Sequence, residues 1–511
     1  MRNAAQLATS ALLASGASAQ VVQWDIEKRV DTAAPRLRRR AGTTVEEQIT
    51  NDLMHGGYFA SCTVGTPAQK VTLQLDTGSS DIWVPASTSS ICQKSTSQGG
   101  GCTLGSYDPD KSSSIEVLTD NFKIGYVDGS YSKGDYVSET FGIGNVNVQN
   151  VTMGVGLDTD IAYGLVGVGY AYNEASVSQS AQIYNNLPLV LRNDNQTRTA
   201  AYSLWLNDLD ASKGSILFGG IDTDKYMGDL IRVDVQKDAR AEQYTAFTVM
   251  MTSMLAHSTS GEDTLSSSSF PIPAVLDSGT TLSYLPQDLA EQIWQEVGAT
   301  YVAGDQQGSG VPVVPCALAN TQNYFTFGFG GKGGPAINVS MTELILPLGG
   351  SGTFDSGPFK GQLACQFGIQ NSSDDSSYLL GDTFLRSAYV VYDLENNEIA
   401  LAPTDFNATS TNIVPFPSQA ATIPSSTPAP SQNALVSGST TQPKYAAQSG
   451  FTKLGSSSSG SGSGSNSGSG SSGSGNGNAA SLTPALDLTQ MLVMGASMGL
   501  MMVGGGAFLL F

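Results

Sequence analysis

The strongest constraint in this 511-residue chain is an internal repeat. Leu75-Asp76-Thr77-Gly78-Ser79-Ser80-Asp81-Ile82-Trp83-Val84-Pro85 recurs 201 positions later as Leu276-Asp277-Ser278-Gly279-Thr280-Thr281-Leu282-Ser283-Tyr284-Leu285-Pro286. Asp, a hydroxyl residue, Gly and two more hydroxyl residues coincide, with an aromatic seven steps after the Asp and a Pro nine steps after it. A lone Asp-Thr-Gly says little. A doubled pattern of this length marks two copies of one structural unit.

Each copy follows an apolar strand, Val71 to Leu75 or Pro273 to Leu276, and turns at a Gly, where the missing Cβ permits a tight bend. Asp76 and Asp277 therefore sit at strand ends. Thr77, Gly78 and Ser79 in one loop, and Ser278, Gly279 and Thr280 in the other, offer hydroxyls and amides that can donate to an ionised carboxylate and fix its rotamer. Brought face to face, the two carboxylates cannot both ionise, and the pair shares a proton in acid. One can then draw a proton from water while the other protonates a peptide carbonyl, which is hydrolysis without a covalent intermediate. The only histidines, His55 and His257, stand in no zinc or Ser-hydrolase signature and are read as structural. No metal and no cofactor is expected.

Charged residues make up 13% of the chain and Gly numbers 58, which suits β-rich lobes better than helical bundles. The fold class expected is all-β. The length allows two or three units plus tails.

Residues 1–19 read as a secretory signal: Arg2, an apolar Ala/Leu stretch, and the exit Ala17-Ser18-Ala19 before Gln20. Sequons at Asn150, Asn195, Asn338, Asn371 and Asn407 agree with secretion. Residues 20–40 hold Lys28-Arg29 and end Arg36-Leu37-Arg38-Arg39-Arg40, the pattern of a pro-segment cut by a basic-site processing protease. Beyond it, lobes are expected at 41–230 and 231–406. Without residues 1–40 and 479–511 the chain keeps 17 Lys and Arg against 40 Asp and Glu, a net charge of −23 that argues against a nucleic-acid partner.

Residues 407–478 are Ser/Thr/Pro-rich and then Gly/Ser-rich, which reads as a disordered stalk. Behind it come Asn478-Ala479-Ala480, a spacer to Gln490, and an uncharged apolar run from Met491 to Phe511. That order is a GPI-anchor signal at 479–511, with attachment expected at Asn478. The run could also span a bilayer, but no Lys or Arg follows it as a cytoplasmic stop, which favours the anchor. Among the five cysteines, Cys92 and Cys102 bracket a polar loop suited to a local bridge, and Cys316 and Cys365 pair by elimination. Cys62 is left in a strand-like segment as a buried, inert thiol.

These features resemble the pepsin-family aspartic proteases, most of all the fungal yapsins and secreted candidapepsins. Beside the two Asp loops, the resemblance rests on Tyr58-Phe59 with Val64-Gly65-Thr66-Pro67, on Ile124-Gly125-Tyr126-Val127-Asp128-Gly129-Ser130, and on Gly164-Leu165-Val166-Gly167-Val168-Gly169. Ile216-Leu217-Phe218-Gly219-Gly220-Ile221-Asp222 and Leu380-Gly381-Asp382-Thr383-Phe384-Leu385-Arg386 extend it toward Pro403. It implies a monomeric, bilobal acid protease with the cleft between two β-barrel-like lobes. It also implies a flap hairpin carrying Tyr126, supported by Trp83, over protein and peptide substrates. Val127 stands where many relatives have Gly. Asp128 and Ser130 would face substrate, and an acid at Asp128 predicts cleavage after Lys or Arg as well as after large apolar residues. A catalytically dead binding protein would normally have lost an Asp, a Gly or the flap Tyr, and all are present. A wall or adhesion component would not need the doubled loop.

Overall fold

The computed structural model describes residues 21–29 and 57–453, apart from 96–100, 127–128, 145, 212, 304–309, 349–351, 355–358, 373–377 and 433–442. The signal, the basic run 36–40, His55, Val127, Asp128, Asn478 and the apolar tail lie outside the described residues.

The architecture is mainly β. Eight strands open the chain: β1 Val22–Arg29, β2 Gly57–Val64, β3 Gln69–Asp76, β4 Ile82–Pro85, β5 Glu116–Gly125, β6 Tyr131–Ile143, β7 Val146–Thr159 and β8 Gly164–Gly167. They belong to a 14-stranded sheet running β5-β6-β7-β4-β8-β3-β2-β1, with an extra β2–β6 pairing that curls the first lobe onto itself. From β1 the same sheet continues through Lys213–Phe218, Ala201–Trp205, Ala388–Asp393, Glu398–Pro403, Leu230–Asp234 and Ser426–Pro428, so it forms a platform under both lobes. The second lobe adds an eight-stranded sheet in which Thr248–Ser258, Ile272–Leu276, Tyr378–Leu380 and Ser283–Leu285 are successive neighbours.

Strand β1, in the segment expected to be removed, is an interior strand of this sheet. Val22, Trp24 and Ile26 are buried while Gln23, Asp25 and Glu27 face out, the period-2 alternation of a one-sided strand. Val22 to Glu27 pair with Phe218 to Lys213, and Ile26 to Arg29 pair with Ala60 to Gly57. Lys28 Nζ donates to the Leu209 carbonyl, and burial lowers the amine to about 8.

The expected stalk border at 407 needs correction, because the folded body continues to Lys453. Ile413–Pro415 pairs with Gly220–Asp222, and Ser426–Pro428 adds a parallel edge to Leu230–Asp234. The cause lies in the platform, whose outer face exposes Trp205, Tyr389, Val391, Ala400 and Ala402 unless covered; Phe416 and Ile423 cover it. Further on, helix Gln448–Thr452 buries Phe451 against Phe325, ring centroids 5.4 Å apart. Asp263 accepts the amides of Lys444 and Ala446 at 3.1 and 3.0 Å, and Ser258 Oγ donates to the Ala447 carbonyl at 2.6 Å.

Disulfides join Cys92 to Cys102 and Cys316 to Cys365. Cys62 is free and buried; its Sγ points at the Val71 carbonyl, and burial pushes the thiol far up. Such a thiol does not form the reactive thiolate.

Candidate active site

Both repeat copies fold alike. In the first, β8 inserts between β3 and β4, parallel to β3 with Leu75 opposite Val166 and antiparallel to β4 with Ile82 opposite Val166. In the second, Tyr378–Leu380 inserts between Ile272–Leu276 and Ser283–Leu285 in the same two senses. The chain after each Asp must therefore leave its strand, cross the inserted one and return, and the Gly turn makes that crossing. Leu165-Val166-Gly167 and Leu379-Leu380-Gly381 occupy equivalent places, a second repeat visible in the sequence once the first is aligned.

The loops are cross-bonded through their hydroxyl residues. Thr77 Oγ1 donates to the Leu276 carbonyl at 2.9 Å, and Ser278 Oγ donates to the Leu75 carbonyl at 3.1 Å. Each hydroxyl oxygen also receives the other loop's amide, Ser278 N to Thr77 Oγ1 at 2.9 Å and Thr77 N to Ser278 Oγ at 3.2 Å. Two strand ends from different lobes are thus held in one register.

The carboxyls are buried and held by matched donors. Asp76 Oδ1 accepts Gly78 N at 2.8 Å and Ser79 N at 3.2 Å, while Oδ2 accepts Ser79 Oγ at 2.5 Å. Asp277 Oδ1 accepts Gly279 N at 2.8 Å and Oδ2 accepts Thr280 Oγ1 at 2.6 Å. Burial and then the charge of Asp277 raise Asp76 well above the usual carboxylate range, partly offset by Ser79 and Gly78. Burial raises Asp277 too, offset by Thr280, Gly279 and Asp76. The two stand within hydrogen-bond reach, so they titrate as a pair that keeps one proton in acid. A water held between one neutral and one ionised carboxyl has both a base and an acid beside it.

Strands β5 and β6 form the expected hairpin, with Tyr126 N donating to Ser130 O at 2.9 Å near its tip. Trp83 Nε1 donates to Tyr126 Oη at 2.8 Å, and the phenol feels the charge of Asp76. His257 stands apart from this site, stacked on Tyr324 with centroids 4.4 Å apart and bonded to Thr326 and Glu262. Among the described residues no group of His, Cys, Asp and Glu is arranged to hold a metal ion.

Residues 57–404 match the family model described as eukaryotic aspartyl protease. The chain belongs to that family. This aspartyl protease is 41% identical over 413 residues to an Aspergillus oryzae protein described as "Probable aspartic-type endopeptidase opsB", covering 80% of this chain and 81% of that one. It is 35% identical over 356 residues to "Secreted aspartic protease 5" of Candida albicans, covering 69% and 77%. Its fold matches the crystal structure of the aspartic proteinase from Irpex lacteus with a TM-score of 0.51 at 21% identity, covering 70% of this chain and 96% of that one. The aspartyl protease is an aspartic-type endopeptidase acting on protein and peptide substrates.

The structure also brings in residues that the sequence did not single out. Asn173 Nδ2 donates to the Gly78 carbonyl at 2.9 Å and braces the first loop from behind. It lies 95 residues away in a segment without periodicity, and nothing local marks it.

Proposed function

We propose that Asp76 and Asp277 are the catalytic pair of a secreted, surface-tethered acid endopeptidase. The observation that carries this reading is the matched pair of buried carboxyls on cross-bonded loops, each raised in pKa and neighbouring the other. The pair activates water and protonates the substrate carbonyl; Thr77, Gly78, Ser79, Ser278, Gly279 and Thr280 hold it in place. Tyr126, backed by Trp83, covers the scissile bond. The test is Asp76→Asn and Asp277→Asn, each expected to abolish peptide hydrolysis while leaving secretion and the melting transition intact. Near wild-type turnover in either variant would refute the pair.

Asp128 is proposed to select substrates. It follows Tyr126 by two residues and precedes Gly129, whose φ of +86° suits a hairpin tip. A carboxylate there offers a Lys or Arg just before the cut a charge-assisted bond of about 1.5 to 3 kcal/mol. Matched Lys and Leu peptides assayed on Asp128→Thr decide: the kcat/KM ratio falls selectively for Lys, and an unchanged ratio leaves Asp128 a turn residue.

Secretion is supported by the N-terminal signal pattern, by the secreted relative in Candida, and by the exposed asparagines of four sequons, Asn150, Asn195, Asn338 and Asn407. Removal of residues 1–40 by a basic-site protease and a GPI anchor near Asn478 complete the reading. Phosphatidylinositol-specific phospholipase should release the protein from membranes. Resistance to lipase together with release by proteolysis past Lys453 would favour a spanning helix instead.

A further inference from the structure

The two copies of the repeat part at one informative place: Asp81 in the first, Leu282 in the second. The first copy lies beneath the β5–β6 hairpin, to which its Trp83 is bonded through Tyr126. Asp81 is completely buried, yet it is a carboxyl, and burying a charge without partners is costly. It has three donors. Oδ1 accepts the hydroxyls of Tyr184 at 2.7 Å and Tyr136 at 3.2 Å, and Oδ2 accepts the Ala175 amide at 2.8 Å.

Those donors come from different elements, and one of them, Tyr136, stands on flap strand β6. Its ring meets Phe122 of β5 edge-on with centroids 5.1 Å apart, and Phe122 tilts against Trp83 at 6.5 Å. Trp83 in turn donates to Tyr126 at 2.8 Å. A path of contacts thus runs from the loop of Asp76, through Asp81, into both flap strands, and back to the tyrosine above the carboxyl pair. The nearby Glu174 is pushed up to about 9, first by burial and then by the Asp81 charge, and stays neutral in acid. Its Oε1 has no hydrogen-bond partner, whereas three donors converge on Asp81, whose carboxyl is raised by burial and lowered in part by those donors. Asp81 is the centre of the cluster.

We propose that Asp81 is a positioning residue for the flap: its carboxyl group, fixed in the loop that bears Asp76, holds Tyr136 and through the ring stack sets the height of Tyr126 over the reacting bond. This rests on the reading of Asp76 and Asp277 as the catalytic pair. In the second copy Leu282 packs instead in an apolar cluster with Tyr284 and Leu379.

Three variants separate positioning from mere stability. Tyr136→Phe keeps the ring and removes the hydroxyl with its bonds to Asp81 and Ser176; Tyr184→Phe removes a shorter bond to the same carboxyl, but from a residue outside the flap; Asp81→Asn replaces the carboxyl by an amide. All are assayed on one peptide, with active sites counted by titration with a tight-binding analogue carrying a tetrahedral hydroxyl carbon in place of the scissile carbonyl. Per titrated site, Tyr136→Phe and Asp81→Asn should lose kcat/KM by about tenfold, the scale of one buried hydrogen bond. KM should rise, the combined variant should lose little more than either alone, and Tyr184→Phe should stay within about threefold of wild type. Wild-type kinetics per site in Tyr136→Phe, or an equal loss in Tyr184→Phe, would overturn the proposal. If Asp81→Asn does not fold, Tyr136→Phe decides alone. Failure of the underlying pair would appear separately, as activity surviving in Asp76→Asn.

Discussion

A Cβ built on Gly78 would stand 2.5 Å from the carboxyl carbon of Asp277, the acid of the opposite loop. The glycine of one repeat is therefore shaped by the aspartate of the other. Neither Cγ nor the rigid loop can yield by so much. Gly78→Ala should cost more than about 100-fold in kcat/KM, the effect of displacing a reacting group by an ångström. Peptide hydrolysis by purified, folded variant measures this, and activity within tenfold of wild type would show that the loops can part.

Thr77 is bonded twice across the same junction, to the Leu276 carbonyl and the Ser278 amide. Thr77→Val keeps the volume but leaves two buried polar groups unpaired. Urea unfolding in acid should show a loss of about 2 to 4 kcal/mol. Thr77→Ser, which retains the oxygen, should recover most of it.

Glu296 gives the body a pH dependence away from the carboxyl pair. It is buried beside Asp263, and burial, then the neighbouring Asp263 carboxyl, raise it from 4.5 to about 8. A carboxyl raised in the folded state binds its proton more tightly there than in the unfolded chain. Stability is therefore full below pH 4.5 and falls as pH rises toward 8. Glu296→Gln should match wild type in thermal melts at pH 4 and exceed it near pH 8. Equal melting at both pH values would show that Glu296 ionises freely.

The C-terminal extension makes a claim of its own. Phe451→Ala removes a wholly buried ring that stacks on Phe325 and should cost about 3 to 5 kcal/mol in chemical unfolding. The segment touches none of the residues around the carboxyl pair, so kcat/KM at 25 °C should not change. An unaltered unfolding midpoint would mean that the segment is not held.

What the sequence disclosed follows from how each part is encoded. The Asp loops were legible because their chemistry is local and written twice. The mainly β class came from composition, and the disulfide pairing from the few cysteines available. The wrap of residues 407–453 was not legible, because Phe416, Ile423 and Phe451 are isolated apolar anchors in Ser/Thr/Pro-rich chain, and three-residue strands leave no period to read. Asp81 was visible as a mismatch between the copies. Its meaning required Tyr136 and Tyr184, 55 and 103 residues further on.

Strand β1 carries a consequence for maturation. It lies between two partners in the middle of the platform, with Trp24 and Ile26 in the core and Lys28 reaching the Leu209 carbonyl. Cutting the chain after Arg40 breaks one peptide bond and none of these ladders. Nicking and departure are then separate events, and a denaturing gel can report a finished product while the native particle still carries its first strand.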